Sequence, residues 1–76
     1  MNGTTVRGMQ LRDLAHRVAH VRFAVAQQTL ERESAIRRHG GAHPRSISAS
    51  RRLRRTQAAY RGLLATYRRR AREDSR

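Results

Sequence analysis

Seventy-six residues allow one domain at most, and a chain this short seldom buries enough apolar surface to be stable without a staple or a partner. The absence of cysteine excludes disulfides and thiolate-bound metals, and no stretch approaches the roughly 18 apolar residues of a membrane span. Eighteen basic residues, all of them arginine, stand against five acidic ones; the resulting +13 favours anionic partners such as nucleic acid, acidic protein or anionic lipid.

The segment Met1-Asn2-Gly3-Thr4-Thr5 lacks the basic-then-apolar order of a secretory signal, so the expected location is the cytoplasm. Beyond it, Leu11, Leu14, Val18, Val21, Val25 and Ile36 recur on one helical face. Asp13, His16, His20, Gln27, Glu31, Ser34 and Arg38 take the opposite one. The pattern predicts a first helix over about residues 5–39, with Gly8 weakening its first turn. A second apolar strip, Ala19, Phe23, Ala26 and Leu30, lies to one side of the main face and exceeds what a single narrow partner stripe covers. Its simplest use is a protein interface, such as a homodimer forming a four-helix bundle. Arg22 projects near the middle of the apolar face, is expected beside Leu63, and has no acid within reach in a hairpin.

The helical pattern breaks at His39-Gly40-Gly41-Ala42-His43-Pro44-Arg45-Ser46. Gly40 suits the left-handed residue that ends a helix, and Pro44 cannot continue one. Ser46 or Ser48 is the expected cap of the next helix, so the turn is placed at 40–46. Further on, Ala49, Leu53, Tyr60, Leu64, Tyr67 and Ala71 form a narrow stripe, widened by Thr56 and Leu63. Leu53, Tyr60 and Tyr67 repeat at the coiled-coil interval of seven. This predicts a second helix over about 47–72 and a frayed tail at 73–76. The whole chain, 1–76, is expected to be one all-α domain: an antiparallel, coiled-coil-like two-helix hairpin, completed by dimerisation or by a partner.

An antiparallel hairpin turning near residue 42 pairs positions whose numbers sum to roughly 84. Glu31 and Glu33 then face Arg51, Arg52, Arg54 and Arg55; Asp13 faces Arg69 and Arg72; Glu73 and Asp74 approach Arg7 and Arg12. Such surface pairs contribute about 0–1 kcal/mol each, but they disfavour other registers.

No acidic residue occurs from Ser34 through Arg72, where twelve arginines lie. Guanidinium forks match phosphate oxygens, and neutralising phosphates releases counterions, which gives salt-sensitive affinity without sequence preference. Arg51, Arg52, Arg54, Arg55, Arg61, Arg68, Arg69 and Arg70 are therefore the candidate nucleic-acid contacts. Ala58, Gly62 and Ala65 or Thr66 add a smooth patch among them. Base reading is not expected: the aromatics are Phe23, Tyr60 and Tyr67, and both tyrosines fall on the core stripe. The alternative expectation is an assembly module, in which Ala19, Phe23, Ala26, Leu30 and Arg22 self-associate or dock an acidic protein.

Other chemistry has little footing. His16 and His20 share a face at a metal-sharing spacing, but no His-Glu-x-x-His pattern or assured third ligand accompanies them. Neither a metal nor a cofactor is expected. Histidine protonation would add positive charge as pH falls and strengthen anion binding. There is no cysteine nucleophile, the serines sit at turns or the tail, and Gly40-Gly41 lacks the pattern of a phosphate loop. A two-helix hairpin offers no water-excluding pocket, so enzymatic activity is not expected.

Overall fold

A computed structural model describes the backbone of residues 3–75 and the side chains of residues 11–75. Two α-helices, Gly3–His39 (α1) and Pro44–Asp74 (α2), pack antiparallel as a hairpin. The hairpin is a rod of about 53 × 18 × 15 Å. Its length is that of α1 itself, 37 residues at ~1.5 Å each. Among the described residues no helix is long and apolar enough to cross a membrane.

The turn is specified by a few polar contacts. Gly40 has φ +84°, in the left-handed region, and its N–H donates to the Ile36 carbonyl at 2.8 Å, which closes α1. α2 begins at Pro44, three residues earlier than the sequence pattern predicts, because proline is tolerated at the first helical position, where its missing N–H has no intrahelical role. The cap is His43, not Ser46 or Ser48: its backbone is extended (φ −69°, ψ 144°) and its Nδ1 accepts the Arg45 N–H at 3.1 Å. Ser46 has a different task. Its hydroxyl donates to the Gly40 carbonyl at 2.7 Å, and its side chain is fully buried. That bond ties the first turn of α2 to the end of α1, and the same carbonyl accepts the His43 N–H at 3.3 Å.

The seam follows alternating steps of three and four, the signature of a coiled coil. α1 contributes Leu11, Leu14, Val18, Val21, Val25, Gln28, Arg32 and Ala35, all half-buried. α2 contributes Ser46, Ala49, Leu53, Thr56, Tyr60, Leu63, Tyr67 and Arg70. Leu53, 6% exposed, is the one buried apolar side chain among the described residues. Full burial of such a side chain stabilises by about 1.5–3 kcal/mol. With two helices and no third element, the seam residues other than Leu53 and Ser46 stay half open to solvent.

The part of the seam nearer the turn is polar. Arg32 Nε donates to Ser50 Oγ at 2.9 Å, and Gln28 Oε1 is buried without a hydrogen-bond partner. A buried acceptor left unpaired costs about 1–3 kcal/mol. The sequence pattern left a gap between Val25 and Ile36; Gln28 and Arg32 occupy it.

The register agrees with the expected pairing. Glu31 reaches Arg52 across the hairpin at 3.7 Å. Asp13 behaves otherwise than expected: it pairs with Arg17 on its own helix, Nε to Oδ2 at 3.1 Å. A partner one turn away on the same helix is already in reach, whereas a cross-hairpin partner must be held out over the seam. Glu73 and Asp74 border a cleft with Leu11 and Arg70, and the expected contact with the Arg7 side chain lies outside the described residues.

Candidate nucleic-acid interface

Helical geometry divides α2 into a seam and a broad outer surface. Every arginine at 51, 52, 54, 55, 61, 68 and 69 is exposed. Arg70, expected among the contacts, is instead half-buried at a seam position beside Leu11, Glu73 and Asp74, and it has a partner there. Arg52 is committed in part to Glu31, although both side chains remain more than half exposed, so that pair is weak and readily exchanged for another anion.

The exposed arginines fall on two flanks. The Arg52–Glu31 pair marks one of them; the Arg32–Ser50 contact marks the other. Arg55 and Arg69 lie one helical turn and its multiples from Arg52 and share its flank, and Arg51 points directly away from the seam. Arg54, Arg61 and Arg68 follow one another at intervals of seven, next to the row through Ser50 and Leu64 on the other flank. The sequence pattern marked all eight arginines as one set; it is the register that separates them.

Between Arg55 and Arg69 the outer surface is smooth. Ala58, Gly62 and Ala65 are exposed, and a Cβ added at Gly62 would meet nothing within 4 Å. Thr66 turns its hydroxyl inward to the Gly62 carbonyl at 3.0 Å. No internal contact therefore requires glycine at 62.

The aromatic residues offer no platform for stacked bases on this face. Tyr60 and Tyr67 are half-buried in the seam, and Phe23, 62% exposed, belongs to α1. At the turn, the His39 and His43 rings stack with centroids 4.5 Å apart. Loss of solvation, followed by the charges of His43, Arg45 and Arg38, lowers the His39 pKa from its ordinary value. His16 and His20 are exposed and border a shallow groove with Arg17, Val21 and Leu63. Among the described residues no three histidine, cysteine or acidic side chains converge as a metal site.

The strip on α1 is open along its length. Ala19, Phe23, Ala26 and Leu30 are all exposed, Leu30 by 65%. Arg22 is also exposed and stands in a groove formed by Ala15, Val18, Ala19, Phe23, Ala26 and Tyr67, not beside Leu63 as expected. Leu63 borders the groove on the opposite flank. Sequence periodicity located both surfaces but not their relation. That depends on which side of each helix meets the other.

No protein-family model matches this chain, and no curated protein or solved structure matches it either.

Proposed function

We propose that this chain is a non-enzymatic, ribonucleoprotein-type accessory protein that grips the phosphate backbone of nucleic acid through the outer surface of α2. The observation that carries this reading is the exposure of Arg51, Arg52, Arg55 and Arg69 on a helix with no acid before Glu73. A positive surface built of guanidinium groups binds phosphate by bidentate hydrogen bonds and counterion release, independently of base sequence. The half-buried tyrosines favour contact with phosphate and shape over stacking. Replacing Arg51, Arg52 and Arg55 with alanine should weaken binding and flatten its salt dependence while far-UV circular dichroism stays helical. Binding that survives unchanged removes α2 as the contact face.

A second reading is favoured by a separate observation, the exposure of Phe23 and Leu30. In that reading the chain is an assembly module whose surface of Ala19, Phe23, Ala26, Leu30 and Arg22 self-associates or docks an acidic protein. Phe23→Glu and Leu30→Glu should then break assembly and leave the hairpin helical. An assembly that persists in both variants sinks this reading.

A further inference from the structure

We propose that the groove on the Arg22 flank of the hairpin is a docking site for an acidic amphipathic helix of a partner protein. This inference deepens the second reading above and is independent of the nucleic-acid reading, because it uses the opposite flank of α2. The two walls of the groove differ in chemistry. The α1 wall is apolar: Ala15, Ala19, Phe23 and Ala26 line it, with Phe23 62% exposed. On the α2 side Tyr67 lines the groove, and Arg54, Arg61 and Arg68, all exposed and two helical turns apart, run along its outer edge at a repeat of about 10.5 Å. Arg22 stands between the walls, exposed beside Tyr67.

Charge complementarity selects the occupant. A second copy of the chain would bring another +13 and set Arg22 and its own arginine row against these. A nucleic-acid strand would press phosphates against the apolar α1 wall and desolvate them without compensation. An amphipathic helix with apolar residues at i, i+3 or i+4 and i+7 fits that wall, as in other helix-in-groove complexes. Glutamates or aspartates along one edge of that helix, seven apart, would meet Arg54, Arg61 and Arg68 in register. The α1 wall from Ala15 to Ala26 spans about 17 Å, enough for roughly three turns of such a helix.

The probe is a labelled synthetic helix of about 18 residues with a leucine face and flanking glutamates, titrated against the full chain at physiological salt. The expected result is saturable binding, with NMR shift changes concentrated at Ala19, Phe23, Ala26 and Leu64. Phe23→Ser and Arg61→Ala, both at exposed positions, should each weaken binding by about tenfold or more, and the same probe with glutamines for glutamates should bind much more weakly. Replacing Arg51, Arg52 and Arg55 with alanine should leave probe binding within about twofold, which separates this site from the phosphate-binding face. Shift changes confined to Arg51, Arg55 and Arg69, or probe affinity indifferent to Phe23→Ser, would overturn the proposal. So would sedimentation showing a dimer of the chain alone that Phe23→Ser converts to monomer, because a second copy would then cover the groove.

Discussion

α1 and α2 contribute to one seam but present unlike surfaces to solvent. α2 confines its larger apolar residues largely to the hairpin and carries ten arginines against two acids; α1 carries seven against three and leaves Phe23 and Leu30 outside. The seam itself is also shared unequally. α2 supplies the buried leucine, Leu53, whereas α1 supplies the unpaired Gln28 carbonyl and the Arg32 guanidinium. The difference separates two kinds of surface that composition alone merges. Net charge makes the whole chain attractive to anions, but the outer surface of α2 is the one dominated by exposed arginines, with Ile47 its one exposed large apolar side chain.

Moving the same kind of substitution between helices distinguishes them most directly. Alanine at Arg51, Arg52, Arg55 and Arg69 should lower nucleic-acid affinity on the order of a hundredfold and reduce the log–log salt slope by about three to four. Alanine at Arg12, Arg17 and Arg37 of α1 should cost far less, and anisotropy titrations of the two variants side by side would show it. Equal losses would mean that bulk charge, not the α2 face, determines binding. For the seam, Leu53→Ala should destabilise by about 2–5 kcal/mol, enough to melt a hairpin with so thin a core, as read by thermal denaturation. Gln28→Leu should act in the opposite sense, raising stability by about 1–3 kcal/mol through removal of an unpaired buried acceptor. Gly62→Ala should stabilise α2 by up to about 1 kcal/mol, since a Cβ there meets open space. Unchanged affinity in that variant would show that the ligand does not approach the backbone at Gly62.

The turn gives the smallest effect, and its sign is fixed. His39 has a lowered pKa in the fold, so the folded chain prefers its neutral ring. The associated stability is present above the ordinary histidine pKa, about 6.5, and is lost as pH falls through the lowered value. The melting temperature should therefore fall on acidification from neutral pH, and His39→Gln, which removes the titrating ring, should blunt the fall.

The hairpin was legible because its signals are local and redundant. Gly40 and Pro44 mark the break, and apolar steps of three and four mark the seam on both sides of it. Glu31 opposite Arg52 shows that even the register could be read from charge placement and turn length. What escaped were three places where a polar residue takes a structural role. Gln28 and Arg32 look like surface residues to a hydrophobicity pattern, although continuing the three–four spacing past Val25 lands on both. Ser46 has the chemistry of a cap, but Pro44 starts the helix earlier and leaves the serine free to tie the turn instead. The arginines raised a different difficulty: their number is evident in the sequence, but their division between two flanks depends on how one helix is rotated against the other.

The proposed grip of the α2 surface on nucleic acid consists of several phosphate contacts. Its most direct test is binding of the intact chain to a generic duplex DNA and to a structured RNA, by fluorescence anisotropy, at salt concentrations from about 50 to 300 mM. A steep linear log–log dependence, with affinity retained near physiological salt, is the predicted result. Affinity that vanishes by about 150 mM would contradict it, leaving only nonspecific charge attraction and turning attention to the groove beside Phe23.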